Sequence, residues 1–219
     1  MTESENIKAV LFDLDGTLID TEKYYRICWP KAMKMFGYNM TDEQTLTLRS
    51  LGRPFAPEHL KKMMGDPNLD YYAIRAKRSE LMEQLIAENG IQLKPGAVEL
   101  LTYLRSKGII TAITTATDLE RTERYLKMTG ISELFDRKIS AAMVSRGKPA
   151  PDVYTYAVNA LGLSAGECAA VEDSPNGVKS ASSAGLKVIM VPDQDEPDES
   201  ITRLLWKKVR ILSDIAEFI

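Results

Sequence analysis

From residue 93 onward the chain switches repeatedly between two hydrophobic periods, and that alternation leaves few folds open. "LKPGAVELLTYLRSKG" (93–108) has helical spacing, opened by Pro95 and Gly96 and closed by Gly108. "IITAITTAT" (109–117) follows as a strand, "DLERTERYLKMTG" (118–130) as a helix, and "RKISAAM" (137–143) contains a short, weak strand. "APDVYTYAVNALG" (150–162) is helical and "CAAVED" (168–173) is a strand. "SPNGVKSASSAGL" (174–186) is a helix with Ser174 as N-cap and Pro175 in its first position, and "KVIMVP" (187–192) is a strand. Near the start, "IKAVLF" (7–12) reads as one more strand, apolar on both faces. Strands joined by helices require right-handed crossovers, so the pattern predicts an α/β fold around a parallel sheet.

One long stretch breaks this order. From about residue 20 the pattern is helical for some seventy residues, with Leu46, Leu60, Met63, Met64, Met82, Leu85 and Ile86 at helix-like spacing. Turn signals at Gly37, "TDEQ" (41–44), "GRP" (52–54) and "GDPN" (65–68) divide it into about four helices, and Pro30 is expected to kink the first or mark its irregular start. The expected organisation is a Rossmann-like core of residues 1–18 and 92–219 with an inserted helical cap of residues 19–91.

Composition narrows the function. The chain has 219 residues, 28 basic against 31 acidic, and no Lys/Arg-rich run, so nucleic-acid binding has no electrostatic support. The polar start "MTESENIK" has no apolar signal region, and no apolar run approaches the roughly 20 residues of a membrane span. Cys28 and Cys168 lie far apart, which suits a reducing cytoplasm better than a disulfide framework. The single histidine, His59, excludes histidine-pair catalysis and His-rich metal sites.

In a parallel α/β sheet, ligands sit beyond the carboxyl ends of the strands. After the first strand come Asp13 and Asp15, and at the end of the second "TTAT" (114–117). After the weak third come Gly147 and Lys148, and after the fourth Glu172 and Asp173. Residues i and i+2 of an extended segment point the same way, so Asp13 and Asp15 face one reacting group. Two close carboxylates resist double ionisation, which splits their pKa values and suits one as an anionic nucleophile or metal ligand and the other as a proton donor. The set describes a Mg²⁺ site beside a phosphate site. A carboxylate approaching a phosphate dianion at ~4 Å is repelled by roughly 8 kcal/mol at an effective dielectric of ~20, and a bound Mg²⁺ with an ammonium group reverses that sign.

Each piece has an ordinary structural explanation as well. "DLDG" is as readily a turn; an EF-hand fails, because with Asp13 as position one the glycine slot holds Leu18 and the final glutamate slot Tyr24. "TTAT" is ordinary strand-end polarity, Lys148 one lysine of many, Asp173 an acid near a helix dipole, and His59 a helix-surface residue. Those explanations do not predict that the groups fall after successive strands.

The combination of "DLDGT", a strand-end threonine, "GKPAPD" and "VEDSPNG" in that order resembles the haloacid dehalogenase superfamily of phosphatases and phosphomutases, in particular its β-phosphoglucomutase-like branch with a small helical cap. The resemblance spans nearly the whole chain. It implies that Asp13 is the nucleophile forming an aspartyl-phosphate, and Asp15 the general acid/base, contributing its backbone carbonyl to the metal. It implies phosphate binding by Thr115 and the Ala116 N–H, with Thr114 as the alternative to Thr115, and a cationic clamp at Lys148. Asp13, Asp173 and Glu172 would hold Mg²⁺, Glu172 directly or through water. Where the mutases have a cap histidine, "DTEKYY" places Tyr25, and in "LRSLGRPF" Leu51 stands where their lysine is expected. Tyr25, Arg49 and Arg53 are the cap candidates for substrate contact. The expected enzyme is a monomeric, Mg²⁺-dependent phosphatase acting on a small phosphorylated metabolite such as a sugar phosphate. The alternatives are a phosphomutase, a haloacid dehalogenase (which needs neither Mg²⁺ nor the second aspartate), and a non-catalytic binding module, against which the complete acidic set speaks.

Overall fold

The computed structural model describes residues 7–194 and 196–219. Most of the polar start therefore lies outside the described residues. Six strands form one parallel sheet: β1 (Ala9–Phe12), β2 (Ile110–Thr115), β3 (Arg137–Ser140), β4 (Cys168–Glu172), β5 (Lys187–Met190) and β6 (Lys207–Lys208), in the order β3-β2-β1-β4-β5-β6. The first five are the expected strands. The sixth is two exposed lysines, with no apolar period to betray it. β1 is central, and Phe12 pairs in register with Ile113 on one side and Val171 on the other. Chain order reverses across β1, so a crevice opens at the carboxyl ends of β1, β2 and β4.

The alternation of side chains across the sheet explains why the strands read as continuously apolar. Val10 and Phe12 face one core with Leu100 and Leu104 of α5 (Ala97–Ser106) and Leu126 of α6 (Leu119–Met128). Ala9 and Leu11 face the other, with Val153 and Ala157 of α7 (Asp152–Leu161) and Val178 and Ala181 of α8 (Pro175–Ser183). Val10, Leu11 and Phe12 are fully buried, and each such side chain contributes about 1.5–3 kcal/mol.

Between β1 and α5 lie α1 (Glu22–Met35), α2 (Asp42–Leu46), α3 (Phe55–Met64) and α4 (Tyr71–Asn89), the four helices expected. Pro30 sits in the body of α1, which continues through it to Met35, rather than at its start. These helices carry a separate apolar cluster built on Trp29, Met33, Leu60, Tyr71 and Ile74. The two chain segments joining them to the sheet run side by side: Asp20 N–H donates to the Gln92 carbonyl (2.8 Å) and Lys94 N–H to the Leu18 carbonyl (2.9 Å). No helix among the described residues is long and apolar enough to cross a membrane.

Candidate active site

β1 delivers its acids at the crevice. Asp13, 1% exposed, is anchored by its N–H to the Val171 carbonyl (3.0 Å). Its Oδ1 accepts from Lys148 Nζ at 2.7 Å. Lys148 is wholly buried and its other donors go to the Thr114 carbonyl (2.9 Å) and Glu172 Oε1 (2.6 Å). Burial works to lower its pKa, and the carboxylates of Asp13 and Glu172 outweigh that and hold it well above the usual lysine value.

Asp15 has a different setting. Its two oxygens accept from hydroxyls, Oδ1 from Thr21 (2.6 Å) and Oδ2 from Thr117 (2.7 Å). Thr21 is the N-cap residue of α1, yet its side chain makes no cap hydrogen bond and is given to Asp15 instead. Burial, with the Asp13 charge adding to it, raises the Asp15 pKa against the pull of the two hydroxyls. That setting favours the protonated form of Asp15 relative to an ordinary exposed aspartate.

Behind Asp13, β4 ends on Glu172 and Asp173, both fully buried. Asp173 Oδ1 accepts from Thr17 (3.2 Å), and Arg49 Nη1 lies 3.7 Å from Oδ2. Glu172 Oε1 also accepts from the Tyr154 hydroxyl (2.5 Å), and its Oε2 lies where a Cβ on Gly177 would come within 1.8 Å. Burial pushes the Glu172 carboxyl up to about 7 and raises Asp173 as well, with Asp13 adding to both.

Asp13, Glu172 and Asp173 each offer an oxygen within 4.8 Å of the others, a set that could hold a metal ion. Glu172 Oε2 and Asp173 Oδ2 are buried without a hydrogen-bond partner. Hard oxygen donors left unsatisfied away from water fit a hard divalent cation. Gly16, at φ +82°, keeps the approach open, since a Cβ there would lie 2.5 Å from Asp173 Oδ2.

Of the two threonines ending β2, Thr114 turns its hydroxyl into the sheet, to the Phe12 carbonyl at 3.3 Å. Thr115 and Ala116 line the cavity with Asp13 and Asp15. That cavity lies between the sheet rim and the helices. Tyr25 and Arg49 line it, Leu51 and Trp29 help close it, and Arg53 lies in the adjoining groove instead. His59 stays on α3, its Nε2 2.7 Å from the Thr47 hydroxyl.

The helices are fastened over the rim by main-chain bonds. Gly52 N–H donates to the Lys148 carbonyl (2.8 Å) and Gly147 N–H to the Arg53 carbonyl (2.7 Å), and Asn176 Nδ2 donates to the Arg49 carbonyl (2.9 Å). A Cβ on Gly52 would lie 2.6 Å from Gly147 Cα, so the two backbones meet only because both residues are glycine.

Sequence reasoning missed Glu22, Thr21, Thr117 (as a partner of Asp15), Tyr154 and Arg78. Glu22 is buried at the cavity wall, its pKa pushed well up by burial and by Asp173 and Asp15. Tyr154 and Arg78 had a usable signal. Tyr154 shares the buried side of α7 with Val153, Ala157 and Val158, and Arg78 that of α4 with Ile74 and Met82. A polar atom on a core-facing position is a question the sequence asks aloud.

The model of the haloacid dehalogenase-like hydrolases matches residues 7–185. Hexitol phosphatase A of Escherichia coli is 35% identical over 186 residues, 84% of this chain and 82% of its own length. A variant of CbbY from Rhodobacter sphaeroides, solved in complex with xylulose-1,5-bisphosphate, superposes with a TM-score of 0.79 at 26% identity, covering 95% of this chain and 96% of that one. A putative β-phosphoglucomutase from Bacteroides vulgatus gives a TM-score of 0.82 at 25% identity, covering 98% and 88%.

Proposed function

The chain belongs to the haloacid dehalogenase-like hydrolase family, and from that premise we propose that it is a Mg²⁺-dependent phosphatase of small phosphorylated metabolites, sugar or sugar-alcohol phosphates among them, working through an aspartyl-phosphate. One observation carries the reading. Asp13 and Asp15 open into one cavity, the first paired with a buried ammonium and the second with two hydroxyls, so adjacent carboxylates are prepared for opposite roles.

Asp13, with Oδ1 held by Lys148, presents Oδ2 to phosphorus. Formation of the Asp13 O–P bond breaks the P–O bond to the substrate alkoxide, which takes the proton of Asp15. Asp15, now anionic, accepts a proton from water as that water attacks phosphorus, and the Asp13 O–P bond breaks to release inorganic phosphate. Thr115 and the Ala116 N–H hold the phosphoryl oxygens, and Lys148 fixes Asp13. Asp13, Asp173, Glu172 and the Asp15 carbonyl would hold Mg²⁺, which when bound offsets the repulsion between the nucleophile and the phosphate dianion. Residues 19–91 act as a cap over the core of residues 1–18 and 92–219, with Tyr25 and Arg49 in the cavity and Arg53 at the groove beside it. The same reading has a monomer in the reducing cytoplasm; both cysteines are free and buried.

The test is a panel of phosphorylated metabolites with Mg²⁺, read as free phosphate. Stoichiometric release from a monophosphate with no bisphosphate present supports the reading. Conversion of β-glucose 1-phosphate to glucose 6-phosphate faster than phosphate release would make the protein a phosphomutase instead.

A further inference from the structure

Two tyrosines stand two residues apart on α7 and end in opposite settings. Tyr156 is 44% exposed, while Tyr154 is wholly buried and belongs to the apolar cluster of Val153, Ala157 and Val178. Lys148 Nζ lies 5.2 Å from the Tyr154 ring centroid. The Tyr154 hydroxyl donates to Glu172 Oε1 at 2.5 Å. That same oxygen accepts from Lys148 Nζ (2.6 Å), whereas Oε2 is buried without a hydrogen-bond partner. One carboxylate is thus divided, with two donors on one oxygen and none on the other. The backbone of α8 makes room for the arrangement, since a Cβ on Gly177 would lie 1.8 Å from Oε2.

A phenyl ring alone would fill this part of the core, and a hydroxyl buried there is unfavourable unless it is hydrogen-bonded. Glu172 Oε1 already has a donor in Lys148, so the hydroxyl is not needed to satisfy that oxygen. What it adds is direction. The Lys148 ammonium ends a flexible stem and divides its protons among Asp13, the Thr114 carbonyl and Glu172. The Tyr154 oxygen sits on a rigid ring wedged in the core. Donors from two different elements converge on Oε1, so the carboxylate cannot turn about its Cγ–Cδ bond, and Oε2 stays the oxygen left over. We infer that Tyr154 is a positioning residue for the metal cluster: its hydroxyl fixes Glu172 through Oε1 and reserves Oε2 for the divalent cation. The inference rests on the Mg²⁺ part of the phosphatase reading and deepens it, because Tyr154 does not line the cavity and acts only through Glu172.

Tyr154→Phe tests it. The variant keeps the ring, removes one oxygen and orphans nothing, because Oε1 keeps Lys148. Circular dichroism and denaturant unfolding in EDTA check that the metal-free fold is retained. Mg²⁺ binding to the substrate-free variant, measured by calorimetry, is expected to weaken by about tenfold or more, the usual effect of losing a group that orients a metal ligand. Hydrolysis of para-nitrophenyl phosphate should need correspondingly more Mg²⁺. At saturating Mg²⁺ kcat should recover and KM for the ester should be unchanged, since Asp13, Asp15 and Lys148 are untouched. An unchanged Mg²⁺ affinity overturns the inference and leaves the hydroxyl a core group that Glu172 merely satisfies. So does a kcat lowered at every Mg²⁺ concentration with the affinity intact, which would route Tyr154 through Lys148 instead. A variant that fails to fold with or without Mg²⁺ overturns it too, because the hydroxyl would then be a requirement of the core. The wild type separates the two readings. Mg²⁺ binding without hydrolysis of any monoester sinks the phosphatase reading and leaves calorimetry to decide Tyr154; hydrolysis with an unchanged Tyr154→Phe affinity sinks only this one.

Discussion

The rim of the sheet and the underside of the helices above it face the same cavity and are finished to different degrees. At the rim Lys148 has three acceptors for its three protons, and Asp15 has a hydroxyl for each oxygen. Across the cavity Arg78 has a thioether and two aromatic rings. On the proposed phosphatase reading, the groups that serve the phosphate chemistry are the ones held in advance by other parts of the chain. The rim still has one incomplete place, the orphaned oxygens of Glu172 and Asp173, and that is where a cation fits.

Changes at the rim should therefore act on chemistry, whatever the substrate. The largest effect is expected from Asp13→Asn, which should abolish turnover and leave no acid-labile phosphoryl group on the protein after mixing with substrate. Chelation by EDTA should stop turnover as completely, and Mg²⁺ should restore it; full activity in a metal-free preparation would break the contrast at its one incomplete point. Asp15→Asn should lower kcat by roughly 10²–10⁴-fold, the usual range for general acid–base catalysis, while Mg²⁺ binding measured by calorimetry persists. A normal kcat in that variant would remove Asp15 from proton transfer.

Two smaller effects sharpen the picture of how tightly the rim is built. Gly177→Ala forces a Cβ against Glu172 Oε2, and overpacking of this kind destabilises by about 1–3 kcal/mol, to be read from denaturant unfolding. The same variant should bind Mg²⁺ more weakly, because the displaced carboxylate is one of the three in the cluster; unchanged affinity would place Glu172 outside the metal's contacts. Least of all, Cys168 should be silent. Burial pushes its thiol up to about 11, so the folded protein at pH 8 should not react with a thiol reagent at that position, and denaturant should expose it.

The rim was legible in the sequence because it follows a rule of strand ends. Asp13, Thr115, Glu172 and Asp173 come at or just after a strand end and Lys148 in the loop that follows β3, and strand order in a parallel sheet gathers such positions at one rim. Strand register was the limit of that reasoning, and Thr114 was separated from Thr115 only by seeing its hydroxyl reach the Phe12 carbonyl. The helices were legible as helices but not as a surface. In "AIRAKRSE" Arg75, Lys77 and Arg78 look alike, and only packing tells that Lys77 pairs with Glu80 in solvent while Arg78 is buried. Arg53 was placed by its turn, and the turn carries it into the neighbouring groove. β6 was missed because two edge residues carry no period.

The contact between Gly52 and Gly147 has a consequence in the genetic code. Every missense change reachable by one base from a glycine codon adds a Cβ, and here either one would drive an atom into the facing backbone, at 2.6 Å from one side and 2.8 Å from the other. Neither position can drift alone, and a compensating change at the other is ruled out because it too would add bulk. Two loops far apart in the chain are thus constrained together, and a substitution at either glycine is expected to disturb the seat of the helices over the rim of the sheet.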